Sequence, residues 1–377
     1  MWWAKASLVD GLGASPRPAD LRALLDSLGQ DLEAFSAVAY EAARRWPRVA
    51  LAVLLPRADD AALDHLLAAD GFVFEKQTPV PSKLVYVPEP LEVRAAVGGT
   101  QLIARGPAPD GLIEAVLRAA GPAITELTIS HDAMTATSEP AWAQLDRGAL
   151  RELTLHGRNV VAAGSLLRGA NALSTLRVDH VALAAATLPP LLRQLELEGG
   201  DLVRVPLVQA LAAHSPRLVH VSVHAEVDAD GMRALATLPQ LRELYAWRSR
   251  CGDAGARAIA AAPVLSELAL TSADLGDDGA AALASMRGLR RLWLSRNRIG
   301  ARGAATIAQM TGLDDLALDG NQLDDAGVRA LAPLRGLSKL SVKDNPFRDA
   351  DAVLAALRHT AAAVEVEDDP YDFGGIM

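Results

Sequence analysis

The chain repeats one short arrangement of apolar and polar positions at a constant interval. Four leucines open the pattern L-x-x-L-x-L or L-x-x-L-x-V at spacings of 24 residues: Leu265, Leu289, Leu313 and Leu337. In each copy the last two apolar positions are separated by one other residue, as in Leu292 and Leu294. Such a period of two is typical of a strand with one buried face. The interval therefore predicts a series of short strands, one in each copy of a structural repeat.

A ladder of glycines follows the strands at the same interval. Its members lie in alanine-rich segments such as "GARGAATIA", again 24 residues apart: Gly231, Gly255, Gly279, Gly303 and Gly327. Alanine favours helix, and its small side chain lets the helices of neighbouring repeats approach closely. One strand and one short helix cannot bury both apolar faces alone, so such repeats stack. We therefore predict an α/β solenoid with a parallel sheet on one side and short helices on the other.

These patterns resemble the leucine-rich repeat family, with its consensus L-x-x-L-x-L-x-x-N-x-L, and the glycine- and alanine-rich half resembles the ribonuclease-inhibitor-like branch. The resemblance is clear over 241–360 and weaker over 124–240, where the opening leucines are Leu150, Leu173, Leu192 and Leu218. Asparagines follow three of the strands, and we expect their amides to bond backbone groups left free at the turn: Asn297, Asn321 and Asn345. We assign residues 98–377 to the leucine-rich-repeat solenoid, which ends in a half-repeat at 361–366.

Residues 1–97 do not repeat, and they resemble no family that we recognise. The segment 18–46 predicts two helices broken near Gly29, and 59–71 predicts a third helix, capped by Asp59 or Asp60. Residues 72–95 contain four prolines around two short β-type runs, which indicates a linker or a small sheet. Strand, helix and strand are predicted at 100–105, 110–121 and 124–130. The mainly helical region 1–97 is either a cap for the solenoid or a separate partner-binding domain.

Composition and charge narrow the function classes. The chain has 377 residues, half of them apolar, and a net charge of −9, which disfavours nucleic acid as the main ligand. A single cysteine, Cys251, allows no internal disulfide and no thiolate zinc site, and it falls at a core position of its repeat. The sequence shows no signal peptide and no apolar run long enough to cross a bilayer. We predict a cytoplasmic protein without membrane insertion, and the alanine-, arginine- and leucine-rich composition indicates a bacterial origin.

No motif of nucleotide, serine-hydrolase or zinc-protease chemistry occurs in the sequence. We therefore predict no enzymatic activity, no cofactor and no metal. One alternative remains open, because polar side chains of adjacent early strands could form a metal or acid–base site. These residues are His156, Asp179, His180, Glu196, Glu198, His220 and His224.

The outward strand positions suggest where a partner binds. Counted from each opening leucine, positions +2, +4, +6 and +7 face outward, and in three neighbouring repeats they collect two tryptophans, one tyrosine and three arginines. Only 4% of the chain is aromatic, and tryptophan, tyrosine and arginine are enriched at binding hot spots. The predicted partner site comprises Glu243, Tyr245, Trp247, Arg248, Glu267, Arg291, Trp293 and Arg296.

Within this site we expect a shallow pocket over Ala269, walled by Tyr245 and Trp293, with Glu243 and Glu267 orienting the arginines. The alternative is that the tryptophans cover the sheet and pair with the arginines through cation–π contacts. We predict a non-enzymatic protein-recognition or scaffold module that binds a protein partner on its concave face. The alternative function is a regulator or effector whose activity lies in residues 1–97, with the repeats as its targeting arm.

Overall fold

The computed structural model describes residues 5–28, 31–63, 85–86, 91–96, 99–104, 112–130, 142, 145–157, 166–179, 188–198, 211 and 213–366. The chain divides into two compact units, Met1–Ala182 and Leu183–Met377.

The first unit begins with helices. A 3₁₀ helix at Ser7–Leu12 precedes α1 (Pro18–Ser27), α2 (Leu32–Arg45) and α3 (Pro47–Leu54). The prediction of two helices within 18–46 is confirmed, whereas α3 was not predicted. Its residues form the longest apolar run of this region, and Pro47 at its first position suits a helix start. The predicted third helix begins at Asp60, and its residues beyond 63 lie outside the described ones.

The strands of the first unit form a mixed sheet. They are β1 (Val85–Tyr86), β2 (Leu91–Ala96), β3 (Gly99–Ala104), β4 (Ile124–Ile129), β5 (Glu152–His156) and β6 (Thr175–Asp179). Strands β1 to β3 pair antiparallel, and β3 to β6 pair parallel, with α4 (Leu112–Ala120) between β3 and β4. The fully buried Thr100 hydroxyl donates to the Leu54 carbonyl (3.0 Å), so α3 lies against the sheet at β3.

The second unit alternates short parallel strands with short helices. Its strands are β7 (Gln194–Glu198), β8 (His220–His224), β9 (Glu243–Trp247), β10 (Glu267–Ala269), β11 (Arg291–Trp293), β12 (Asp315–Ala317), β13 (Leu337–Ser341) and β14 (Ala361–Glu365). Its helices are α5 (Ala229–Ala236), α6 (Gly252–Ile259), α7 (Asp277–Leu283), α8 (Ala301–Ile307), α9 (Asp325–Ala330) and α10 (Ala350–Leu357). The α/β solenoid predicted from the repeats is confirmed.

Strand pairing keeps equivalent repeat positions in register. Leu268 pairs with Leu292, and Leu292 pairs with Leu316, so each leucine column runs straight across the sheet. Leu292, Leu294, Leu316 and Leu318 are all fully buried. Because each buried leucine side chain contributes about 2 kcal/mol through the hydrophobic effect, these columns are the main source of cohesion between repeats.

Asparagine side chains join neighbouring repeats at the turn after the strand. The Asn297 Oδ1 atom accepts from the backbone N–H groups of Ala273 and Leu275, both at 3.0 Å, and its Nδ2 atom donates to the Leu270 and Leu294 carbonyls. Asn321 and Asn345 make similar bonds one and two repeats further on, where each Oδ1 atom accepts from a single N–H group, that of Ile299 or Leu323. These amides therefore satisfy backbone groups that the short strands leave unpaired.

Aspartates at the helix N-termini make a second connection. The Asp277 Oδ1 atom accepts from the N–H groups of Gly300 (2.8 Å) and Gly303 (2.9 Å) in the next repeat. A Cβ atom on Gly303 would lie 2.6 Å from that oxygen, which explains the glycine in the helix. The residue equivalent to Asp277 one repeat later is Ala301, which has no carboxylate. The helix that follows it, α9, is capped by Asp324 at its own N-terminus instead.

Candidate functional site

Aromatic side chains form a row on the face of the sheet opposite the buried leucines, which we call the outer face. In β9, Tyr245 and Trp247 alternate with the buried Leu244 and Ala246, and both rings are half-buried. The Tyr245 ring stacks on Trp247, with centroids 5.6 Å apart, and on Trp293 of β11, with centroids 5.7 Å apart. Strand alternation therefore places these three rings on one face, as the spacing predicts.

Two histidines extend this row. The His224 ring lies 4.2 Å from the Trp247 ring, and the His220 ring lies 5.3 Å from the Tyr245 ring, both measured between centroids. We call His220, His224, Tyr245, Trp247 and Trp293 the ring ladder. The prediction of the partner site omitted the histidines, although they occupy the same +2 and +6 columns counted from Leu218. Their positions in these columns could have added both histidines to the predicted partner site.

The expected pocket over Ala269 is absent, so this part of the prediction is wrong. Ala269 pairs with Tyr245 on one side and Trp293 on the other, but it is only 2% exposed. The two rings lean over the small alanine side chain and stack across it, because contact between them removes more apolar surface from water than an open gap would.

Glu267 links the ring ladder to an arginine. Its carboxylate accepts from the Tyr245 hydroxyl (2.7 Å) and from Arg291 (2.8 Å). Burial raises the pKa of Tyr245, and the bond to Glu267 raises it further, so the phenol stays protonated as a donor. Glu243, by contrast, contacts His220 at 2.8 Å rather than an arginine. The expectation that both glutamates orient arginines is thus correct only for Glu267.

Arg248 and Arg296 lie apart from the strands. Both are exposed and have left-handed backbone, with φ of 58° and 57°, in the turn that follows each strand. The same +7 column is left-handed at Ser272, Gly320 and Asp344. The outward orientation of position +7 was predicted from strand alternation. The left-handed backbone shows that the alternation ends before this position. Among the described residues, the tryptophan rings contact other rings and make no cation–π contact with an arginine.

The alternative metal or acid–base site has limited geometric support. His156 and Asp179 approach to 3.8 Å in the first unit, and Glu198 and His224 approach to 3.8 Å in the second unit. His180 lies outside the described residues. Within the described part of the chain, no group of three or more histidine, cysteine or carboxylate side chains is arranged to hold a metal ion.

Cys251 lies in the core of its repeat. Its side chain is 5% exposed, and burial raises the pKa of the thiol. A buried thiol with a raised pKa is a poor nucleophile, since the thiolate is the reactive form.

None of the helices in the described ranges has the length and apolar character needed to cross a membrane.

Comparison with known proteins identifies the repeat class. The family model for the Leucine Rich repeat matches residues 261–284 and 313–332, so the chain contains leucine-rich repeats. The ribonuclease-inhibitor-like branch stays a prediction.

At the level of individual proteins, no curated protein matches the chain. Among solved structures, it is similar to an internalin from Listeria monocytogenes, with 16% identity and a TM-score of 0.48 over 85% of this chain and 97% of that one.

Proposed function

We propose that the protein is a non-enzymatic recognition module that binds a protein partner through the ring ladder. In this proposal the outer face of the sheet, opposite the buried leucines, is the concave binding face. The observation that carries this proposal is the stack of Tyr245, Trp247 and Trp293 on one face of the sheet, where all three residues stay partly exposed. Rings held rigid by one another lose little conformational entropy on binding and offer a large apolar contact area. Leucine-rich repeats suit this role, since outward strand positions can vary without disturbing the core.

Residues 1–97 serve in this proposal as the cap of the solenoid. In the first unit, Arg22 donates to the Gly99 carbonyl (3.0 Å) and the Arg57 N–H to the Ala119 carbonyl (2.7 Å). Together with the bond from Thr100 to Leu54, these contacts tie the N-terminal helices to β3 and α4. The division at residue 98, the cytoplasmic location and the bacterial origin stay predictions.

The test is affinity capture from a bacterial lysate on three immobilised proteins, followed by mass spectrometry. The wild-type chain should retain a partner that Trp293→Ala does not retain. Phe347→Ala is the matched control, because Phe347 is another half-buried aromatic residue that lies outside the ring ladder. All three proteins are first shown to give the same circular dichroism spectrum.

A partner retained equally by Trp293→Ala would contradict the proposal, since binding would then not use the ring ladder. Loss of the partner in both variants would also contradict it, because the effect of Trp293→Ala would then not be specific to the ring ladder.

A further inference from the structure

An open cavity of about 620 Å³ adjoins the ring ladder where strands β10 to β12 begin. Three arginines line it, namely Arg290, Arg291 and Arg335, together with Glu267 and Asp314. Arg291 and Glu267 connect it to the ring ladder, because Glu267 binds both Arg291 and the Tyr245 hydroxyl. An apolar surface and a charged cavity are thus continuous on this part of the second unit.

The carboxylates and the arginines of the cavity differ in their partners. Glu267 is bonded to Arg291 and Tyr245, and Asp314 accepts from the Ser338 hydroxyl. Arg290 and Arg335, in contrast, donate to backbone carbonyls, Arg290 to Gly312 at 3.2 Å and Arg335 to Leu334 at 2.9 Å. Among the described residues, neither arginine has a carboxylate within ion-pair distance.

These bonds orient two guanidinium groups without neutralising them. A guanidinium has five N–H donors in a planar fork, so the single carbonyl bond of Arg290 and the bonds of Arg335 to the Ala332 and Leu334 carbonyls leave donors free. With three arginines and two carboxylates in its lining, the cavity has an excess of one positive charge in a chain whose net charge is −9. A carboxylate is the complementary group, because the fork matches it in a two-bond geometry and the charge-assisted bonds are strong.

We propose that this cavity binds an aspartate or glutamate side chain of the partner, and that the partner is an acidic protein segment. The segment places an apolar or aromatic side chain on the ring ladder beside the carboxylate held by Arg290 and Arg335. This inference rests on the proposed function for the ring ladder, and it adds the chemical class of the partner. The net negative charge of the chain repels a polyanion such as a nucleic acid, while a single carboxylate meets a cavity in which three arginines face two carboxylates.

The test is selection of random 12-residue peptides displayed on phage against the immobilised full-length protein. Binders of the wild type should be enriched in aspartate or glutamate next to an aromatic residue. A synthetic peptide of the selected sequence should bind Arg290→Gln or Arg335→Gln about tenfold more weakly. Arg287→Gln is the matched control, because Arg287 is exposed, also donates to a backbone carbonyl and lies outside the cavity. This variant removes the same charge, and its affinity should stay within twofold of wild type.

The outcomes separate the two proposals. Peptides that need Trp293 but lack acidic residues, and that ignore Arg290→Gln, overturn the carboxylate site while the ring-ladder function stands. Acidic peptides that need Arg290 and Arg335 but ignore Trp293→Ala support the carboxylate site and contradict the ring ladder. Equal loss in Arg287→Gln means an unspecific charge effect and overturns the site, as does arginine-dependent binding of a labelled oligothymidylate. Failure to select any peptide that responds to these variants counts against both proposals.

Discussion

Replacing Asn321 by alanine removes one connection between repeats without touching the leucine columns. The Asn321 Oδ1 atom accepts from the Ile299 N–H at 3.0 Å, and its Nδ2 atom donates to the Leu294 and Leu318 carbonyls at 2.9 and 3.0 Å. The side chain is only 6% exposed, so water does not readily reach the groups that the substitution leaves behind.

The expected loss follows from these partners. An orphaned buried N–H group costs about 1–3 kcal/mol, and each lost bond to a carbonyl costs about 0.5–1.5 kcal/mol. With one N–H group and two well-formed carbonyl bonds affected, we expect Asn321→Ala to lower the free energy of unfolding by about 3 kcal/mol. Asn345→Ala removes an equivalent set of bonds at a half-buried position. Water can replace those partners, so its expected loss is about 1 kcal/mol.

Urea unfolding followed by circular dichroism gives the global loss, and amide hydrogen exchange gives the local one. The Ile299 amide should exchange faster in Asn321→Ala than in wild type, because its acceptor is gone. A loss below about 1 kcal/mol, or equal losses for the two variants, would refute the argument that solvent access sets the strength of these connections.

Other substitutions test other parts of the structure, each by urea unfolding. Leu316→Ala should cost about 2–5 kcal/mol, since Leu316 is fully buried between two neighbouring leucines; a loss under about 1 kcal/mol would mean that this column is not core. Asp277→Ala should cost about 1–2 kcal/mol, because it removes the acceptor shared by two N–H groups of the next helix; an unchanged stability would show that this cap is not needed. Arg296→Gly should change stability by less than about 0.5 kcal/mol, because relief of the left-handed backbone offsets the added freedom of the unfolded chain; a larger loss would assign Arg296 a structural role.

The repeated core could be predicted from the sequence because it depends on local spacing. Leu292 and Leu294 are separated by one residue, and the same pair returns after 24 residues at Leu316 and Leu318. A period of two and a constant interval define both the buried face and its neighbour, so burial of these leucines follows without knowledge of the complete fold.

The closed surface over Ala269 could not be predicted in this way. Alternation indicates which face Tyr245 and Trp293 occupy, but it does not give their side-chain torsions. Whether the rings stand apart or lean together depends on the size of the residue between them and on neighbouring rings such as Trp247. The same holds for Glu243, because alternation does not indicate that its carboxylate contacts the His220 ring.

The cap made by Asp277 shows a second limit of sequence reasoning. Its acceptor role lies in the following repeat, at Gly300 and Gly303, and not in its own helix. A search for caps looks at residues adjacent in sequence, so it finds Asp324, which caps its own helix. It overlooks a carboxylate 23 residues before the helix N-cap that it serves.

The measurement that tests the account most directly compares Trp293→Ala with Leu294→Ala, using the affinity for a captured partner and the melting temperature. Trp293→Ala should weaken binding by at least about 2 kcal/mol, or thirtyfold. Its melting temperature should fall by only a few degrees, because loss of the stack on Tyr245 costs about 1 kcal/mol. Leu294→Ala should cost about 2–5 kcal/mol of stability, since the side chain is fully buried. If Trp293→Ala instead unfolds the protein, or leaves the affinity for that partner unchanged, the tryptophan is structural and the ring ladder is not the binding site.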